Sequence, residues 1–188
     1  MKLWKNYFIL KPFTGFLLLG IILRLYGSGR ILGGGDEAEA LLGFIYSSPQ
    51  QIVRQYFAAS NHIFHSLTAH LMVTWFGEEN EFAIRFPSLV AGIIDLYLIY
   101  KTTFLIFPQA ETRLQALGIV TLSPIHIYYS QTARGYALAM LFSTAAIMTL
   151  LKAMKSTRPV PSLIFFSFFC FLSVYTIPTN LYFVFGLA

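Results

Sequence analysis

The chain has 188 residues, of which 56% are hydrophobic, 17% aromatic and only 11% charged, with a mean hydropathy of +0.65. A soluble domain carries about 25% charged residues, so this composition excludes an ordinary soluble protein and indicates a membrane protein. The net charge of +5 does not mark a nucleic-acid binder, because the basic residues stand at the edges of apolar segments.

In chain order, residues 8–26 form a first span, read as an uncleaved signal-like segment with no convincing small-residue cleavage site. Arg24 near its outer end is expected to snorkel towards the interface. An external loop follows over residues 27–85. It opens with Gly33-Gly34-Gly35 and then the first acids, Asp36, Glu37 and Glu39. Within the loop, Ala38, Leu41, Leu42 and Ile45 make one helical face. Ser48-Pro49-Gln50-Gln51 starts a second helix with Ser48 as N-cap, Pro49 at N1 and Gln51 at N3; its apolar side is Ile52, Val53, Tyr56 and Phe57. A third helix over 62–76 carries an apolar face of Ile63, Phe64, Leu67, Leu71 and Trp75 and suits the interface plane or a short or re-entrant membrane segment. Residues 77–81 read as a solvated polar turn.

Further spans are expected at 86–107, 114–129, 136–154 and 161–177, with a truncated sixth at 181–188. That last segment falls short of the roughly 20 residues that cross a bilayer, so the chain reads as the front portion of a longer protein. All six lysines (Lys2, Lys5, Lys11, Lys101, Lys152, Lys155) fall on one side of this map. The positive-inside bias makes that side, with the N-terminus, cytoplasmic. The single cysteine, Cys170, excludes an intramolecular disulfide. The fold class is therefore all-α: a polytopic helical bundle with amphipathic interfacial helices in its first external loop.

The chemistry-bearing residues gather on the external face. Asp36 and Glu37 follow the glycines, and Asp36-x-x-Glu39 also reads as a capping box with Asp36 as N-cap. Arg85 precedes Phe86-Pro87-Ser88, and Arg134 sits between two aromatic-rich spans. Carboxylates and guanidiniums together suit transfer from a phosphate leaving group, since a carboxylate takes a proton and arginine binds phosphate in a two-toothed fashion. The alternative for each arginine is an interfacial anchor or an ion pair with a loop acid. His62 and His65, at i and i+3, could hold a divalent metal with Asp36 and Glu37; no cofactor is expected otherwise. His70 and His126 read as interface residues. Asp95 lies deep in the second span, where an ionisable group is costly and needs a structural partner.

The order of a first span, a glycine-rich loop with Asp36-Glu37, then Asn61-His62, Arg85-Phe86-Pro87-Ser88 and Ser130-Gln131-x-Ala133-Arg134-x-Tyr136 resembles family 39 membrane glycosyltransferases. That family includes protein O-mannosyltransferases and the aminoarabinose transferases of lipid A, with the GT-C fold. The resemblance implies that residues 1–188 are the N-terminal part of a transmembrane GT-C domain. It implies a polyprenyl-phosphate sugar donor, an extracytoplasmic lipid, glycan or protein acceptor, and inversion at the anomeric carbon. Asp36 and Glu37 take the place of the family's catalytic acids, and Arg85, Arg134, Tyr136, Asn61 and His62 that of its substrate-binding positions. Many relatives have a His-Pro-Pro or Lys-Pro step where this chain reads Asn61-His62-Ile63-Phe64. The expected location is a cell inner or plasma membrane. A transporter or flippase for a lipid-linked sugar is the rival class; a truncated, inactive membrane protein is the third.

Overall fold

The computed structural model describes residues 2–30, 35–55, 58–77 and 80–187, with side chains from residue 12 onward. Among the described residues ten α-helices follow one another: α1 Lys2–Leu25, α2 Asp36–Ala40, α3 Pro49–Arg54, α4 Ile63–Phe76, α5 Glu81–Ile106, α6 Ala110–Leu122, α7 Pro124–Ser130, α8 Tyr136–Lys155, α9 Val160–Thr176 and α10 Leu181–Leu187. No strand occurs among the described residues. A π-helical turn, Leu41–Ile45, extends α2, and a 3₁₀ turn, Pro178–Asn180, precedes α10.

The central helix is α5, which packs against α1, α4, α6, α7 and α8, while α9 lies on α8. It begins at Glu81 rather than at Phe86 because Asn80 caps it, with Oδ1 accepting from the Ala83 N–H at 3.1 Å. Its 26 residues span about 39 Å at 1.5 Å per residue, longer than the roughly 30 Å hydrocarbon layer. The first turn and a half, with Arg85, can therefore stand clear of that layer. Helices α5 and α8 are long and apolar enough to cross a membrane; the apolar stretches Pro12–Leu25 and Val160–Thr176 are shorter.

The expected third span is instead two helices, broken at Ser123. Pro124 has no N–H and disfavours helical geometry in the residue before it. Ser123 accordingly has ψ 116° and caps α7, its Oγ accepting from the His126 N–H.

Small residues share the interior with Ile84, Leu96 and Leu117, and many large apolar residues face outward. Ala91, Ala137, Ala145 and Ala146 are buried, whereas Ile94, Ile119, Phe165 and Phe171 are exposed. Close helix contact through small residues is how helices pack where lipid removes the hydrophobic drive. At Gly92 an added Cβ would lie 2.0 Å from Ser130 Oγ, so only glycine permits the α5–α7 approach.

In α4, Leu71 and Trp75 point outward, as expected of an interfacial helix, while the side that packs inward is His65, Ser66, Ala69 and Val73. The arrangement corrects other faces read from periodicity. Leu41 and Ile45 are buried, but the π-turn throws Leu42 out. The Ser48–Gln51 capping box forms as expected and buries Ile52, while Val53 is exposed. Ile31–Gly34, Tyr56–Phe57 and Glu78–Glu79 lie outside the described residues. The external helices join the bundle through one apolar cluster: Leu41, Ile45, Ala69, Val73, Ile84 and Ala133.

Candidate active site

The residues that could carry chemistry meet where α2, the start of α5 and the turn between α7 and α8 come together. Asp36 is the first residue of α2, whose N-cap is Gly35 at φ 73°. The capping-box expectation fails: no side chain caps this helix, because the cap position falls one residue earlier, on a glycine with positive φ. The Asp36 carboxylate is thus free of backbone duty.

The adjacent acids have different partners. Glu37 accepts from Arg85 with both oxygens, Oε1 from Nε at 3.4 Å and Oε2 from Nη2 at 3.1 Å. Its Oε1 also accepts from the Ala133 N–H at 2.7 Å. Arg85 is 0% exposed and donates further from Nη1 to the carbonyls of Ser28 (3.3 Å) and Arg30 (2.5 Å) and to Glu81 Oε2 (3.5 Å). Every guanidinium nitrogen of Arg85 is engaged, which is the ion-pair alternative rather than an open phosphate contact. Glu37 and Arg85 together clamp α2, the Ser28–Arg30 turn, α5 and the α7–α8 turn.

Asp36 is 78% exposed at its side chain, and its Oδ2 lies 3.1 Å from Nη1 of Arg134, which is 8% exposed. That contact lies off the hydrogen-bonding direction, so Arg134 Nε and Nη1 are buried without a hydrogen bond among the described residues. Arg134 is held from behind: its carbonyl accepts from Ser88 Oγ at 2.7 Å, and its guanidinium lies 5.5 Å over the Tyr136 ring. Tyr136 in turn meets Tyr129 at 4.5 Å between centroids and His62 edge-on at 4.9 Å.

His62 and Asn61 hold the walls. His62 Nδ1 accepts from the Gly135 N–H at 2.8 Å, so the ring proton of the neutral form sits on Nε2. Burial lowers its pKa from 6.5 to about 4, Arg134 adds to the effect, and Asp36 opposes it. His65, wholly buried, is lowered to about 3, again first by burial. Asn61 donates to the carbonyls of Ile52 and Gln55 at the end of α3 and accepts from Ser66 Oγ. Asp36, Glu37, His62 and His65 do not converge: among the described residues no group of three or more His, Cys, Asp or Glu could hold a metal.

Sequence reasoning missed Ser88, Glu81 and Gln131. Gln131 Nε2 donates to the carbonyls of Leu23 (2.7 Å) and Tyr26 (2.5 Å), pinning the end of α1 beside the site. Ser88 and Gln131 stand inside the quoted motifs, which was the available signal.

The arrangement offers a solvent-facing carboxylate beside a buried cation whose Nε and Nη1 have no hydrogen bond among the described residues, framed by aromatic rings. The family model of dolichyl-phosphate-mannose-protein mannosyltransferases matches residues 61–187. The match includes Asn61, His62, Arg85, Arg134 and Tyr136 and begins after Asp36 and Glu37. No curated protein and no solved structure matches the chain. The all-helical membrane architecture agrees with the match, which covers more than half of the chain: it belongs to the dolichyl-phosphate-mannose-protein mannosyltransferase family of membrane glycosyltransferases.

Proposed function

We propose that this glycosyltransferase moves a sugar from a polyprenyl-phosphate donor to a hydroxyl of an extracytoplasmic acceptor, by one inverting displacement. The observation that carries this reading is the unequal pairing of Asp36 and Arg134, an exposed acid beside a buried guanidinium with unused donors. In the proposed reaction the donor phosphate takes up Arg134, which binds two phosphate oxygens in its plane, and Asp36 is released towards the acceptor. Asp36 accepts the acceptor's hydroxyl proton as the oxygen bonds to the sugar's C1. The C1–oxygen bond to the phosphate breaks, and its electron pair leaves with the polyprenyl phosphate, whose growing charge Arg134 stabilises. Glu37 and Arg85 keep the two halves of the site in register and do not exchange protons.

The membrane map that goes with this reading has the N-terminus and Lys152–Arg158 on the cytoplasmic side and Asp36, Arg85 and Arg134 outside, in a multi-pass protein of an inner or plasma membrane. The lysine distribution supports it. The acceptor class stays at hydroxyl-bearing lipid, glycan or protein.

The test is Arg134→Lys. Lysine keeps the charge but loses the planar two-toothed contact. KM for a polyprenyl-phosphate sugar should rise about tenfold or more, the loss of one charge-assisted hydrogen bond, while the amount of folded protein is unchanged. Unaltered donor KM would return Arg134 to the role of an interfacial anchor.

A further inference from the structure

A second polar cluster lies inside the bundle, ten residues further along α5 than Arg85 and so about 15 Å deeper. Arg24 of α1 is wholly buried, contrary to the snorkelling expected of it. Its Nη1 donates to the carbonyls of Gly20 (3.0 Å) and Thr121 (3.4 Å), and its Nη2 to that of Val120 (3.2 Å) and to His126 Nδ1 (2.9 Å). The break at Ser123 explains its position: Arg24 takes up the Thr121 carbonyl, which the break leaves without a helical N–H, and shares that of Val120, which also accepts from the Ser123 N–H at 3.3 Å. A guanidinium only donates, so His126 Nδ1 accepts and its proton sits on Nε2. That N–H donates to Asp95 Oδ2 at 3.0 Å. A neutral imidazole therefore joins a permanent cation to a carboxylate, and the buried charges sum to zero. His126 is thus an interior residue, not the interface residue expected.

One acceptor is left over. Asp95 is 1% exposed, and its Oδ1 is buried with no hydrogen bond among the described residues. Asp95 and His126 line a cavity of about 320 Å³ with the hydroxyl residues Ser123, Ser143 and Thr144, and its other walls are apolar. A buried acceptor left unsatisfied is destabilising, and a small turn of the Asp95 carboxylate towards the cavity would let a donor there satisfy it.

We propose that this cavity is a second ligand site, which takes the hydroxyl end of a neutral long-chain alcohol. The O–H donates to Asp95 Oδ1, and the hydrocarbon chain runs out along the apolar wall. The occupant is a donor because Asp95 Oδ1 is an acceptor with no hydrogen bond among the described residues. It is neutral because Arg24 already balances Asp95, so a cation would add uncompensated charge and a phosphate would meet the carboxylate. It is hydrocarbon-bearing because the cavity is apolar and lies at membrane depth. The site is independent of the sugar-transfer reading.

The test uses the protein in lipid nanodiscs with tritiated farnesol as probe, and farnesyl methyl ether and dodecanol as competitors. Farnesol should bind saturably, and its ether, which cannot donate, roughly tenfold more weakly. Competition by dodecanol as strong as by farnesol identifies the hydroxyl as the recognised group for any chain; weak competition identifies an isoprenoid alcohol. In Asp95→Asn the amide oxygen keeps the His126 bond and an N–H faces the cavity, so the preference for alcohol over ether should vanish. Thr144→Phe, which leaves the carboxylate intact and fills the cavity, should abolish binding. Equal binding of farnesol and its ether by the unaltered protein, or full binding by Thr144→Phe, would overturn the proposal.

Discussion

Asp36 and Glu37 are chain neighbours, each beside a buried arginine, yet the two pairs are built differently. Around Arg85, two carboxylates and two carbonyls take up the nitrogens, and the acid partner Glu37 is only 12% exposed. Around Arg134, among the described residues, one largely exposed carboxylate makes the only ion pair, and two nitrogens, Nε and Nη1, have no hydrogen bond. A saturated buried pair has nothing left to offer a ligand, and breaking it strands a charge. An unsaturated pair can exchange its partner for a substrate group. The contrast assigns structure to Glu37–Arg85 and chemistry to Asp36–Arg134.

The largest effect that could break this comparison is at Arg85. Arg85→Met should destabilise the protein by about 3–5 kcal/mol, because it strands Glu37 and Glu81, measured as a loss of thermal stability in detergent. Adding Glu37→Met should recover part of that loss. If Arg85→Met melts normally and loses only donor binding, the saturated pair is a binding site after all.

Acid tests the wall behind Arg134. His62 has a folded pKa of about 4 against 6.5 unfolded, so the unfolded chain binds the extra proton between those values. The stability that neutral His62 contributes is present above pH 6.5 and is lost as pH falls towards 4, up to about 3 kcal/mol. The reason is burial first and the neighbouring Arg134 charge second; a protonated ring also cannot accept from the Gly135 N–H. Melting temperature followed from pH 7 to 4 should fall, and His62→Asn, which keeps an acceptor without titrating, should flatten the fall. An unchanged profile would remove His62 as its cause; His65 titrates in the same sense.

The smallest effect sharpens the distinction between capping and catalysis. Ser48→Ala should cost about 1 kcal/mol, because Ser48 is a true N-cap. Asp36→Asn should stay within about 0.5 kcal/mol, since α2 draws no cap from that side chain and its carboxylate, 78% exposed, is solvated and screened even beside the buried Arg134. The two variants are compared by thermal unfolding in the same detergent.

What was legible in the sequence was local. Ser48-Pro49-Gln50-Gln51 carries its whole cap within four residues, and α4, α8 and α9 follow their hydrophobic lengths closely. Partners distant in sequence were not legible: Arg24 looks like a span-end residue until it meets His126, 102 positions away. The apolar stripe of α4 was visible, and Leu71 and Trp75 do face outward, as an interfacial helix requires; the polar face that packs inward, with His65 and Ser66, was not. The break at Ser123 had its signal in Pro124, overridden by the apolar run around it. Asp36, Glu37, Arg85 and Arg134 were recognisable as residues sharing a face. Their pairing was not, since it depends on where Gly35 turns the chain.

The most direct measurement is sugar transfer from a polyprenyl-phosphate donor by Asp36→Asn and Glu37→Gln, with melting temperature recorded beside it. Asn cannot take the acceptor's proton, and proton transfer contributes about 10²–10⁴-fold. Asp36→Asn should therefore lose transfer by that factor at an unchanged melting temperature. Glu37→Gln should lose stability first, with transfer per folded molecule reduced far less. Near-normal transfer by Asp36→Asn, with the large loss falling on Glu37→Gln at full stability, would contradict the account and make Glu37 the base.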